Sequence, residues 1–94
     1  MQIVSRPTIT NTAMSTGSTE YSYTIPDNVK RIEFKLRAIN ALLQYTFTSG
    51  ESGSAYITVP YGETITIEDA KLGGKVLYVQ SPTASQTLET RVWV

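Results

Sequence analysis

Within residues 29–37 the chain alternates without a break from Arg31 to Arg37. Ile32, Phe34 and Leu36 share one parity, while Arg31, Glu33, Lys35 and Arg37 share the other. A period of two lays such a segment out as a strand with one apolar and one charged face. Wound as a helix, the three apolar residues would spread over more than half the circumference and leave no coherent buried stripe. A lone strand cannot bury its apolar face, so the rest of the chain must supply partners and a covering layer.

The same signature recurs. Tyr21, Tyr23 and Ile25 share a face and are followed by the turn residues Pro26-Asp27-Asn28. Leu43, Tyr45 and Phe47 alternate within residues 42–48, and Gly50-Glu51-Ser52-Gly53 then predicts a hairpin loop returning along residues 55–59. Pro60-Tyr61-Gly62-Glu63 is a strong turn, because Pro presets φ and Gly permits φ > 0. Residues 64–68 form a short strand carrying Ile65 and Ile67. Residues 76–79 are apolar on both faces and predict a central strand. Residues 87–94 place Leu88, Val92 and Val94 on one side and Glu89, Arg91 and Trp93 on the other. Between these, residues 38–43 are open to either a strand edge or a single helical turn.

Seven short strands at about ten-residue spacing predict an all-β domain, an antiparallel β-sandwich or a jelly-roll-like domain. At 94 residues there is room for one such domain. It is expected over residues 20–94, preceded by an N-terminal segment, residues 1–19, of different character. There Ile3, Val4 and Ile9 are the main branched apolar residues among Ser, Thr, Asn and Gly. That segment is either a flexible arm or the source of a short first strand, around residues 3–5 or 8–12.

Composition narrows the chemistry. Histidine and cysteine are both absent, which removes Ser-His-Asp and Cys-His catalysis, disulfides, and zinc sites built on His or Cys. The carboxylates fall mostly in turns or on outward strand faces, not as a facing pair across a cleft. Neither Gly50-x-x-Gly53 nor Gly73-Gly74 matches a phosphate- or dinucleotide-binding loop. Glu63, Glu68 and Asp69 read as solvated loop acids before they read as a calcium site. The expectation is therefore a non-enzyme with no cofactor and no metal.

Eight basic and eight acidic residues cancel, so no net field draws the chain to nucleic acid or to a membrane. Residues 2–7 carry no apolar run of the length that a signal peptide or a membrane span needs, and synthesis in the cytosol is expected. Lys30, Arg31, Lys35 and Arg37 hold half of the positive charge, but no stacking aromatic interrupts their row. They are expected to form a solvated outer face or a charge-protected edge. Tyr23, Tyr45 and Tyr78 are expected in the core or at its rim, and Tyr61 is expected to be exposed in its turn. Trp93 either covers one end of the sandwich or anchors a neighbouring subunit, since Trp, Tyr and Arg are common at interface hot spots.

Ile25-Pro26, Tyr56-Ile57-Thr58-Val59-Pro60-Tyr61-Gly62-Glu63, the run from Leu72-Gly73-Gly74-Lys75 through Val76-Leu77-Tyr78-Val79-Gln80-Ser81, and Glu89-Thr90-Arg91-Val92-Trp93 together set a cadence. It runs strand, Pro-x-Gly, strand, Leu-x-Gly-Lys-x-Leu-Tyr, strand, Val-Trp, and it resembles small β-sandwich virion structural proteins of tailed bacteriophages. The resemblance spans roughly residues 21–94, transfers no catalytic residue and does not reach the N-terminal segment. It implies a non-catalytic component of the virion, made in the host cytoplasm and assembled in several copies as a homo-oligomer. A capsid decoration protein of the head surface is placed first. A neck, tail or receptor-binding component with a carbohydrate-binding surface is the alternative. The implied partners are capsid or tail proteins and further copies of the chain. Interface contacts are expected from Ile3, Val4, Ile9, Trp93 and Val94. Under the alternative, Tyr61 and Trp93 would stack on sugar.

Overall fold

The computed structural model describes residues 7–94. Eight strands make up the domain: β1 (Thr8–Met14), β2 (Tyr21–Thr24), β3 (Arg31–Leu36), β4 (Leu43–Thr46), β5 (Ile57–Val59), β6 (Ile65–Ile67), β7 (Val76–Gln80) and β8 (Gln86–Trp93). Each of the seven expected strands is present; the first five are shorter at their ends, β7 runs one residue further, to Gln80, and β8 is displaced by one residue, to Gln86–Trp93. Residues 38–42 form bends and a turn and Leu43 opens β4, and a 3-10 turn at Ala70–Leu72 occupies the connection before β7. Asp69 caps that turn, its Oδ1 accepting from the Lys71 amide at 2.9 Å.

The eighth strand is β1, which takes up residues 8–14 of the N-terminal segment, the first-strand alternative for that stretch. From Thr8 to Met14 the segment pairs along its whole length with β8, from Thr8 opposite Val92 to Met14 opposite Gln86. Of the two first-strand positions considered, residues 8–12 lie within it. The position at residues 3–5, with Ile3 and Val4, lies outside the described residues. Thr8, Thr10 and Thr12 suit a pleated strand. As an edge strand, however, β1 buries only Met14 fully, so it carries no apolar alternation.

The pairing scheme has a simple rule. β1 pairs with β8, β2 with β7, β3 with β6 and β4 with β5, all antiparallel, so that paired numbers always add to nine. That is the pattern of one long hairpin with its tip between β4 and β5. Rolling the hairpin adds the lateral pairs β3 with β8 and β4 with β7. The result is two four-stranded sheets, β1-β8-β3-β6 (sheet A) and β2-β7-β4-β5 (sheet B). This is the eight-stranded jelly roll, a β-sandwich. β7 lies inside sheet B, as its two apolar faces predict.

Between the sheets, Ile32, Phe34 and Leu36 of β3 and Leu88 and Val92 of β8 meet Leu43 and Tyr45 of β4, Val59 of β5 and Leu77 and Val79 of β7. Phe34 and Tyr45 pack edge to face, with ring centroids 4.9 Å apart. Tyr21 and Tyr23 pack against the rim of this core. Tyr78 departs from expectation: it stands between Ser22 and Thr46 on the outer face of sheet B, because Leu77 and Val79 take the inward parity of β7. β3 is also not an edge. It lies between β8 and β6, so its charged row needs no explanation as edge protection.

Two connections show how tightly the roll closes. In the Pro60–Glu63 turn the Glu63 amide donates to the Pro60 carbonyl at 3.1 Å, and Gly62 takes the φ of +73° that the turn requires. Gly17, between β1 and β2, lies against the β7–β8 connection, where a Cβ would stand 2.7 Å from the Pro82 carbonyl oxygen. Main chain cannot swing aside as a side-chain tip can. Gly17→Ala is expected to destabilise the domain by about 1–3 kcal/mol, the usual range for overpacking. A melting temperature within a degree of wild type would refute it.

Candidate functional site

The outer face of sheet A carries the densest set of charged side chains. Register determines who meets whom: Arg31 lies opposite Trp93, Glu33 opposite Arg91, and Lys35 opposite Glu89. Odd-numbered residues of both strands point outward because the even-numbered ones fill the core. Glu33, in the middle, is only 8% exposed. Its Oε1 accepts from Arg91 Nε at 2.8 Å and from Arg91 Nη2, while its Oε2 accepts from Arg31 Nη2 at 2.5 Å and from the Thr66 hydroxyl at 3.4 Å. The Arg91 guanidinium bound to Glu33 outweighs the effect of burial and holds its carboxyl below the ordinary carboxylate range, with Arg31 adding to the shift. Such a group stays ionised at neutral pH and is a poor proton donor.

Both guanidinium groups also cover Trp93, with Arg31 Cζ 4.9 Å and Arg91 Cζ 5.2 Å from the ring centroid. Arg31 Nε, buried at this point, has no hydrogen-bond partner among the described residues, and Glu68 Oε1 is 4.0 Å away. Next to the cluster a hollow of about 400 Å³ crosses the sheet from Ile9 on β1, over Glu89, Arg91, Glu33 and Lys35, to Thr64 before β6. It offers an apolar end, a charged floor and a hydroxyl end.

The fold brings the first and last of the described strands together here. β1 and β8 are neighbours, so Ile9 lies opposite Arg91 on the outer face, two residues from Trp93 along β8. Ile9 is 66% exposed and Val94 55% exposed, whereas Trp93 is half-buried beneath the arginines. Tyr61 is 61% exposed but is not part of this cluster. Trp93 lies opposite Arg31 at the start of β3, whereas Tyr61 adjoins Gly62, beside Ile39, beyond the end of β3. The six residues of β3 at about 3.3 Å each separate the two aromatics by far more than one sugar ring. Glu33 was not singled out in the sequence as a site residue. Its only signal was its place among cations of matching parity on β3 and β8.

A second carboxylate organises the hairpin tip. Glu20, just before β2, accepts from the Gly50 amide at 3.0 Å, the Ser52 amide at 3.1 Å and the Ser52 hydroxyl at 2.6 Å. These bonds, with that from the Ser52 hydroxyl the largest cause, lower its pKa. Ser52, fully buried, also lies 3.0 Å from Gln80 Oε1. Because the folded pKa is depressed, this clamp operates above the ordinary carboxylate value and is lost as pH falls through the lowered one. Glu20→Ala is expected to speed hydrogen exchange at Gly50 and Ser52 at neutral pH by about tenfold, the loss of roughly 1.4 kcal/mol of local protection. Unchanged exchange at both amides would refute the clamp. Glu63, Glu68 and Asp69 form no metal-binding group of three among the described residues.

No family model matches the chain, and no curated protein matches it either. Two solved structures share the fold. A de novo designed double-stranded β-helix, determined by solution NMR, is 11% identical and aligns over 95% of this chain and 99% of its own, with a TM-score of 0.57. A chain of the crystal structure of tomato aspermy virus is 12% identical and aligns over 99% of this chain and 79% of its own, with a TM-score of 0.51. At such identities the likeness is one of fold. The viral neighbour comes from a plant virus and not from a tailed bacteriophage.

Proposed function

We propose that the chain is a non-catalytic structural protein of a virus particle, specifically of a tailed bacteriophage. In this role it is mounted in many copies on the head surface and binds capsid protein through the face where β1 and β8 meet. The observation that carries this reading is the complete eight-stranded jelly roll, shared with a chain of the tomato aspermy virus structure over 99% of the present chain. The cadence of residues 21–94 supplies the bacteriophage part of the reading. The chemistry left to a chain without His or Cys, whose most buried carboxylate is locked between two arginines, supports a binding role over a catalytic one. Ile9, Trp93 and Val94 offer apolar contact at one end of sheet A, ringed by charges of both signs that would determine register on a neighbour.

The test is mass spectrometry of purified particles separated into heads and tails, with copy number measured against the major capsid protein. The expected result is the chain in the head fraction at tens to hundreds of copies, as symmetric shells require. Recovery in the tail fraction would support the neck or tail alternative. Absence from both fractions would end the virion reading.

A further inference from the structure

Sheet A and sheet B differ sharply in charge. The four strands of sheet B contain no charged residue, and between Arg37 and Glu63 the only charge is Glu51. That stretch holds β4, β5 and the loops around them. It also holds five of the seven large hydrophobic side chains exposed among the described residues: Ile39, Phe47, Tyr56, Ile57 and Tyr61. They flank β5, the edge strand of sheet B, in two groups: Phe47, Tyr56 and Ile57 at its start, and Ile39 and Tyr61 beyond its end. Phe47, Tyr56 and Ile57 line a hollow of about 420 Å³ with Tyr45, Thr46 and Ala55, and Ile39 adjoins Gly62 next to Tyr61.

Ile57 is the most informative of these. It lies opposite Tyr45 and shares the parity of Val59, which is fully buried opposite Leu43. Ile57 is therefore on the core side of its strand, yet it is 58% exposed. The sandwich does not close over it. Phe47, packed edge to face on Tyr45 at 6.2 Å, extends the core's aromatic pair outward to the same opening.

We propose that a second copy of this chain covers the β5 edge, in an isologous dimer with its two-fold axis close to Ile57. The proposal rests on the reading that the protein works in several copies, and it names the surface used. Three features favour a second copy. A patch free of charge meets itself across a two-fold axis without like-charge repulsion, whereas a charged patch would not. At roughly 200 Å² for each whole large side chain, the five exposures leave on the order of 500 Å² to cover. That is most of the roughly 800 Å² that each partner contributes to a standard interface. The edge itself is open, because among the described residues β5 pairs with β4 alone. Pro60 lacks an amide hydrogen and β5 is three residues long, so side chains rather than an extended ladder carry the contact. Those limits also favour a closed dimer over an open-ended sheet.

The experiment is sedimentation equilibrium of the full chain at concentrations up to about 0.5 mM, where even a weak interface registers. The expected result is twice the 10.4 kDa chain mass for wild type. Ile57→Lys and, independently, Tyr61→Lys should each weaken association at least about a hundredfold, because each buries an unpaired charge twice in one dimer. Tyr61 is largely exposed, so its variant keeps the test sharp if Ile57→Lys unfolds. Ile9→Lys on sheet A should leave the dimer intact. A wild type that stays monomeric throughout overturns the proposal, as does a dimer that Ile57→Lys and Tyr61→Lys both spare and Ile9→Lys dissolves. A β5 dimer that is absent from virions would sink the virion reading and leave this surface standing. A monomer found in virions would do the reverse.

Discussion

Phe34→Ala should remove about 3–5 kcal/mol of stability, the range for truncating a buried aromatic. Domains of this size hold roughly 5–15 kcal/mol in all, so the variant would sit close to the folding threshold. Three features put Phe34 at the top. It is fully buried, it is the largest of the completely enclosed side chains, and its ring packs edge to face on Tyr45 across the two sheets. Truncation therefore removes both a transfer contribution and a contact that ties sheet A to sheet B. At about 4–8 °C for each kcal/mol, the melting temperature should fall by at least about 12 °C. Phe47→Ala serves as the comparison. Its ring belongs to the same aromatic row but is 37% exposed, and its loss should shift the midpoint far less. Equal shifts for the two variants would show that the core is not centred on Phe34.

Glu33→Ala should destabilise the domain by about 1–3 kcal/mol, the range for unpairing a hydrogen-bonded charge. It leaves two guanidinium groups facing each other over Trp93 with no anion between them. The loss stops short of the roughly 3–5 kcal/mol typical of a fully buried pair, because both arginine side chains are about half exposed and can turn towards water. Trp93 fluorescence should change with it, since both cations that cover the ring lose their tether. The acid limb of the stability curve gives a second check. Glu33 has a depressed folded pKa, so its contribution is complete above the ordinary carboxylate value and disappears as pH falls through the lowered one. Wild type should lose stability in that window and Glu33→Ala should lose less. Glu20 titrates in the same direction, so only the double variant should flatten the limb substantially. A single variant with an acid slope as steep as wild type would rule out Glu33 as a contributor.

Local pattern made much of the fold legible. The alternation in residues 29–37 predicted β3 and its inward residues, because parity alone decides which side chains a strand turns to the core. Pro60-Tyr61-Gly62-Glu63 and Gly50-x-x-Gly53 marked their turns, because those φ values are local requirements. β1 was harder to read. Its threonines alternate no hydrophobicity, and what makes it a strand is the hydrogen bonding offered by β8, some eighty residues away. Tyr78 was assigned to the wrong side for a related reason: a strand apolar on both faces gives no parity signal, and only the neighbouring Tyr23 and Tyr45 decide which face is inner.

The opening alternation, then, determined a strand, its two faces and hence a layered β fold, all of which are short-range consequences of backbone geometry. It did not determine strand order. The nine-sum pairing, the meeting of Ile9 with Arg91, the burial of Glu33 between Arg31 and Arg91 and the opening at Ile57 depend on which distant strands become neighbours. That choice is made by the rolled hairpin as a whole, because contacts between residues far apart in sequence form only when the entire sheet pair closes.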